Sequence, residues 1–361
     1  MPAKANTPER CAAGTARTGE VSYQFDALNR LRTVRSGTPA NPPTASTPAH
    51  EYEYAATGLR TAEVRPNGTR TEYAYNVRNH VTSVLHKAAA GALLLGLSYS
   101  VDATGLRNSI TETVDGGALS RVTAYDYDAN KRLIREEITR AGQTGTQVTS
   151  WVYDRLPAVA SLRSGNRVSQ TVDGATLSYT YDANDRILTE SDGTSHVYDN
   201  NGNLVRTEKG SATQRYSWDS SGRLSEHTDA AGIRTAYSYY PERSEATAGS
   251  GIRVSRTSRL GAADAERTAY LIDYLQPYAQ VLEEAAGPAT SSVLTHQVAY
   301  VHGDDLIAQV RGGVAQHYHY DALGSTRLLS SSDGVVSDRY AYTAYGELDA
   351  AGSSVVSENA Y

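Results

Sequence analysis

"YTYDANDRILTE" spans residues 179–190 and places two tyrosines two apart, then an aspartate, a polar turn and the pair Arg186–Ile187. On a strand, Tyr179 and Tyr181 point to one face, because successive side chains alternate. Asp182 opens a turn, since its carboxylate accepts hydrogen bonds from backbone amides one or two residues on. Arg186 and Ile187 then restart the alternation on a returning strand. The stretch therefore encodes one β-hairpin.

The same plan recurs along the chain, in "YQFDALNRLRT" (23–33), "YDYDANKRLIRE" (125–136), "YSWDSSGRLSE" (216–226) and "YHYDALGSTRL" (318–328). The positions that define it are Tyr23 and Asp26; Tyr125, Tyr127 and Asp128; Tyr179, Tyr181 and Asp182; Tyr198, Asp199 and Gly202; Tyr216, Trp218, Asp219 and Gly222; and Tyr318, Tyr320, Asp321 and Gly324. The residue that closes the turn is Gly or Asn in the clearest copies: Asn29, Gly105, Gly202, Gly222 and Gly324. Both types tolerate the left-handed backbone that a type I turn with a glycine bulge requires.

The position after the second aromatic falls at Asn76, Asp102, Asp128 and Asp154, in steps of 26 residues. It continues at Asp182, Asp199, Asp219 and Tyr240, in steps of 28, 17, 20 and 21. One hairpin plus a return loop of adjustable length gives such a variable period. Periods in this range signal an elongated array whose units bury their faces against neighbours. Between copies lie turn-rich connectors such as "VDGGAL" (114–119), and "SGTPANPPTASTPAH" (36–50) reads as a Pro-rich loop. "YLIDYLQPYAQVLEE" (270–284) has some helical periodicity, but Pro277 cuts it and its β-branched and aromatic content favours a strand pair. The expected fold class is all-β, built from repeated antiparallel hairpins.

The aromatic composition is lopsided, with 26 Tyr against one Phe and two Trp. Tyrosine suits a half-buried surface, where the ring packs and the hydroxyl meets water or a polar neighbour. The formal charge is −6 and no basic block stands out, which argues against a nucleic-acid partner. Cys11 is the only cysteine, so neither an internal disulfide nor a thiolate zinc cluster is expected. The most apolar stretch, "AAAGALLLGL" (88–97), is far shorter than the roughly 20 residues of a membrane helix, and the N-terminus has no secretory core. No membrane insertion is expected.

The motif Y-x-Y-D-x-x-G/N-R-L, repeated at this interval, resembles the YD repeat of the RHS family. "YHYDALGSTRLLSSSDGVVSDRYAYTAYGE" (318–347) is also very similar to the opening of the RHS-associated core. The resemblance covers nearly all of 20–361. It implies a curled β-ribbon that forms part of a hollow YD-repeat shell, as in bacterial RHS proteins, the BC components of insecticidal toxin complexes and the teneurins. In bacterial members the shell commonly encloses a C-terminal toxin domain. The implied organisation is a flexible leader (1–20), a shell segment (21–316) and the start of the core (317–361). Implied partners are the remainder of a longer RHS polypeptide or a companion shell component, and an enclosed toxin cargo. The implied location is secreted or cell-surface, without a signal peptide of its own and cytoplasmic before export. Family cores run on into a self-cleaving D-P-x-x-G…D-P segment that has no counterpart here, so no self-cleavage is expected. The final hairpin, Tyr340 to Gly346, is expected to be an unpaired edge.

Candidate chemistry is weak by comparison. His317 and His319 share a strand face as two metal ligands would, but no third ligand has a fixed spacing to them, and drift within a repeat strand is the better reading. Asp304 and Asp305 follow Gly303 and suit a turn better than a catalytic pair. The repeated aspartates are dispersed, whereas calcium needs six or more converging oxygens. There is no G-x-S-x-G elbow and no phosphate-cradling glycine loop between strand and helix. Catalytic residues, metal ligands and cofactors are therefore all expected to be none, and the chain is expected not to be an enzyme. Two functional readings remain: a non-enzymatic shell segment that encloses and sequesters a toxin or other cargo, and a cell-surface recognition module that binds a glycan or protein through its outer face. Tyrosines turned to an inner wall favour the first, and an exposed aromatic patch favours the second.

Overall fold

A computed structural model describes residues 19–154, 165–240, 251–276 and 278–357. Cys11, most of the leader and Pro277 lie outside the described residues. The described chain has 27 strands and no helix. Accordingly, no helix in it is long and apolar enough to cross a membrane. Each ladder is antiparallel and joins strands consecutive in the chain. Ala175–Tyr181 pairs with Ile187–Glu190, Thr194–Tyr198 with Leu204–Lys209, and Leu204–Lys209 with Ala212–Trp218. The 270–284 region is a strand pair, Glu266–Asp273 against Gln280–Pro288.

The hairpin turn has the same construction in copy after copy. At 179–190 the Asp182 amide bonds to the Arg186 carbonyl and the Asp185 amide to the Asp182 carbonyl, and the register slips between Thr180 and Tyr181. The same slip precedes Phe25, Tyr54, Tyr75, Val101, Tyr153, Tyr198, Trp218, Tyr239 and Tyr320. This is the expected turn with a one-residue bulge. Asn29, Gly105, Gly202, Gly222 and Gly324 have φ of 59°, 89°, 87°, 72° and 83°. Two copies place other residues there: Lys131 at 64° and Asp185 at 63°. A left-handed non-glycine residue costs roughly 1–2 kcal/mol, and these copies sustain it within the fixed turn. The aspartate also reaches further than expected. One Asp182 oxygen accepts from the amides of Asn184 and Arg186, two and four residues on, so a single carboxylate spans the whole turn.

The chain divides into two compact units, one of residues 179–300 and 310–312, the other of residues 19–178, 301–309 and 313–357. In the first, no described residue between 179 and 267 is fully buried, and buried side chains begin at Thr268, Ile272, Ala285 and Ala286. In the second, the strands Val314–Tyr320, Thr326–Ser331 and Val336–Arg339 pack back onto the early strands. Leu328 joins Val84, Leu95, Leu97, Tyr99 and Ile110 in one cluster, while Val301, Ile307 and Ala308 join Leu31, Val34 and Tyr52 in another. These contacts span more than 200 positions of sequence.

The expectation of an open edge at 340–346 is not met. Tyr340 is buried, Arg339 and Tyr342 form bridges with Ser354 and Leu348, and the amides of Val356 and Ser357 donate to Asp338. Tyr345 lies against Trp151 with ring centroids 5.0 Å apart. Local sequence shows no strand partner here, and the side chains that hold the segment come from residues about 200 positions earlier.

The turn geometry generates a direct expectation. Gly222 has open space where a Cβ would project, so a substitution there is limited by backbone conformation alone. Gly222→Val should destabilise the chain by roughly 1–3 kcal/mol in chemical unfolding. Gly222→Asn should be much milder, as Asn29 and Asn79 already hold this conformation.

Candidate functional site

The repeat residues meet their neighbours through a contact that the sequence did not announce. In the copy that begins at Tyr179, Arg186 Nε donates to the second Asp182 oxygen at 2.6 Å, which holds the guanidinium level. That guanidinium lies 5.0 Å from the ring centre of Tyr198 in the next hairpin, and Tyr198 Oη donates back to the Ile187 carbonyl at 3.0 Å. Asp26, Arg30 and Tyr54 repeat the arrangement, with Tyr54 Oη bonded to the Leu31 carbonyl. So do Asp128, Arg132 and Tyr153, and Asp219, Arg223 and Tyr239. Where Asp199 meets Asn203 instead of arginine, Trp218 Nε1 still donates to the Leu204 carbonyl at 2.8 Å. The arginine amide, foremost, keeps the Asp26, Asp128 and Asp219 carboxyls below their ordinary range, and for Asp182 the Arg186 guanidinium is foremost. Each junction thus joins a charge-assisted bond, a cation–π contact and a bond to a backbone carbonyl.

The remaining repeat residues extend this picture. Tyr23 Oη donates to the His302 carbonyl, and Tyr127 and Tyr320 donate to the carbonyls of Arg107 and Leu306. Tyr216 stacks on His227 at 5.0 Å, Tyr179 stands opposite Glu190, and Tyr181 opposite Ile187. Tyr125 is half-buried near Glu136, and Tyr318 is buried with its hydroxyl on Gln309. Gly202 and Gly324 occupy their turns, where Asp199 and Asp321 accept the amides two and four residues on. The i, i+4 spacing of Asp and Arg was visible in the sequence, but the aromatic partner one hairpin on was not.

Two buried polar clusters lie in the unit that contains 19–178. In the first, Arg65 donates to the Tyr318 carbonyl and Thr71 Oγ1, each at 2.8 Å, and to Glu63 at 3.1 Å. Glu63 also accepts from Arg60 at 2.6 Å and Tyr73 at 2.9 Å. His317 and His319 are buried beside this network, together with His50 and His86. The third histidine absent from local spacing is therefore present in space. The guanidinium of Arg65 among these rings is hostile to a cation, and the described residues hold no set of three or more His, Cys, Asp or Glu arranged for a metal. Asp304 and Asp305 both face Arg60 and so form ion pairs at a turn.

In the second cluster, Glu112 sits 2.8 Å from Arg327 and 3.6 Å from Arg121, and Asp349 sits 3.1 Å from Arg121 and 2.7 Å from Arg140. Arg121 and Arg327 also donate to the Tyr342 and Tyr340 carbonyls. Glu112, Arg121 and Arg327 edge a cleft of about 500 Å³, lined further by Tyr125 and Tyr127. Glu112 and Asp349 are each shared by two arginines. Behind them, burial pushes the Glu136 carboxyl up to about 7.

Two measurements follow. Tyr198→Phe removes the hydroxyl that bonds Ile187 and should lower stability by roughly 0.5–1.5 kcal/mol. Glu136 has a folded pKa above its ordinary value of 4.5, so it opposes folding as pH rises from there through about 7. Glu136→Gln should therefore raise stability at pH 8 by roughly 1–3 kcal/mol and give no such gain at pH 4.

A family profile for the RHS repeat matches residues 198–234, the stretch carrying the Tyr198, Trp218 and Arg223 junctions. No curated protein sequence matches the chain. Among solved structures, the chain is similar to a Tc holotoxin pore of Photorhabdus luminescens bearing a TccC3 mutation, at 14% identity and a TM-score of 0.56. It is also similar to TcdB2–TccC3 and to TcdB2–TccC3–Cdc42, at 14% identity and TM-scores of 0.58 and 0.57. Each alignment covers 91% of this chain and 17% of the other, so the chain spans about a sixth of the length of those proteins. The chain thus carries a matched RHS repeat at 198–234 among its repeated YD hairpins, and it shares its antiparallel ribbon fold with these Tc structures.

Proposed function

We propose that this chain is a stretch of non-catalytic wall in an RHS-type shell that encloses and sequesters a toxin or other cargo. The observation that carries this reading is the use of its conspicuous polar residues. The repeat aspartates close turns, the arginines bridge to the next hairpin, and the tyrosine hydroxyls bond to neighbouring carbonyls. Such groups hold a wall together and leave little over for turnover. Solved structures with similar folds are toxin complexes, which supports the same reading for this chain. Its partners are then the rest of a longer RHS polypeptide or a companion shell component, together with the cargo. Its place is outside the producing cell after export. Recognition of a glycan through an aromatic ladder has less support, because, apart from the exposed Tyr23 and Phe25, most repeat rings are half-buried or buried, and many carry arginine or backbone contacts.

The test is electron microscopy of the protein purified from its host with whatever chain accompanies it, combined with limited proteolysis. A closed wall around internal density, with an internal segment that resists protease until the wall is opened, is the expected result. A flat or open ribbon with no enclosed volume would refute enclosure. The purified chain should also show no hydrolase, transferase or redox activity above a buffer blank, and a turnover abolished by changing one residue would refute the non-catalytic reading.

A further inference from the structure

Within the unit that contains 19–178, four histidines come together from strands far apart in sequence. His50, His86, His317 and His319 lie on His50–Tyr54, Val81–Lys87 and Val314–Tyr320, and are 2%, 0%, 7% and 0% exposed. His86 and His319 meet edge to face with centroids 5.2 Å apart. Each makes one hydroxyl contact, His86 Nδ1 with Thr71 at 2.9 Å and His319 Nε2 with Ser330 at 2.8 Å. The Nδ1 atoms of His50, His317 and His319 have no hydrogen-bond partner. A neutral ring tolerates that position, whereas an imidazolium would bury an unpaired charge.

The arginines around the rings make protonation worse, and Glu63 opposes them at His50 and His86. His50 faces Glu63, Arg65 and Arg60, with the Tyr52 ring 4.8 Å away. His86 faces Arg65, Glu63 and Arg327; His317 faces Arg65 and His50; His319 faces Arg65 and the other three histidines. Glu63 is the one anion among these groups; it lies 3.6 Å from His50 Nε2 and is also shared by Arg60, Arg65 and Tyr73. Burial first, then Arg65, pushes His86 down to about 3 and His317 down to about 4. His50 and His319 shift the same way.

We infer that this contact is an acid-released clasp, in which proton uptake by the four histidines frees the strands Val314–Tyr320 and Thr326–Ser331 from the strands between Arg60 and Lys87. The sign follows from where the protons bind. Closed, the rings are neutral; opened, they titrate near the ordinary value of about 6.5. The clasp is therefore fully held above that pH and loosens as pH falls below it, because the open form binds more protons. Each ring contributes up to about tenfold in opening per pH unit, so four together give up to about 10⁴-fold. Glu136 works against this with a single proton, as its raised value makes acidification stabilising. The net response remains steep.

Hydrogen exchange of the full chain, read by mass spectrometry at pH 7.5 and 5.5 and corrected for intrinsic exchange, tests the clasp. Protection in 81–87, 314–320 and 326–331 should fall by at least about 100-fold, while 204–218 changes little. His86→Asn with His319→Gln removes two titrating rings and keeps a polar atom near Thr71 and Ser330; it should cut the response by about 100-fold. Unchanged protection in those strands at pH 5.5 would overturn the clasp, as would equal loss in 204–218 or a full response in the double variant. If that variant does not fold, the unsubstituted chain decides alone.

Discussion

The junction of aspartate, arginine and aromatic ring is the contact on which the ribbon depends. A two-stranded hairpin is marginal alone in water, and each hairpin here has little core of its own. The arginine solves this by being held at one end and used at the other. Asp182 fixes the guanidinium of Arg186 within its own turn, so the stacking on Tyr198 needs little further ordering of a long side chain. The Tyr198 hydroxyl then returns a bond to the strand that carries the arginine. Because the junction needs only a turn and the next second aromatic, the connector between them is free to vary in length. That is why steps from 17 to 28 residues coexist in one ladder.

The consequence is clearest between 179 and 267, where antiparallel pairing continues although no described side chain is fully buried. Stability there is a nearest-neighbour property, as in other linear arrays. The unit that contains 19–178 is held differently. Its returning strands seat Leu328 among early strands and bury Arg327 against Glu112 from a distant segment. Buried ion pairs of this kind contribute modestly to stability, since desolvation offsets their attraction. Arg327 also donates to the Tyr340 carbonyl and Arg65 to the Tyr318 carbonyl, so a shifted strand would strand a buried charge. They act on register.

Much of the local architecture was legible in the sequence. Alternation around Tyr179 and Tyr181 marks a strand with both rings on one face, and Gly222 or Asn29 after the aspartate marks a left-handed turn. These are properties of a few adjacent residues, whose conformational limits do not depend on the rest of the chain. Even the exceptions follow the rule, since Lys131 and Asp185 adopt the glycine's conformation because the surrounding turn imposes it.

What the tertiary structure alone decided is which distant residues share a space. His317 and His319 look like drift within a repeat strand until His50, His86 and Arg65 are placed around them. The 340–346 segment looks like an open edge until Trp151, Arg121 and Arg140 arrive to hold its surroundings. Spacing along a chain constrains neighbours within a turn or a hairpin. Contacts across more than 200 residues depend on how the strands stack, and that sum over many junctions has no local sequence signal. The amino-acid sequence thus determined the hairpin and its repetition; folding in three dimensions determined the buried charges and histidines.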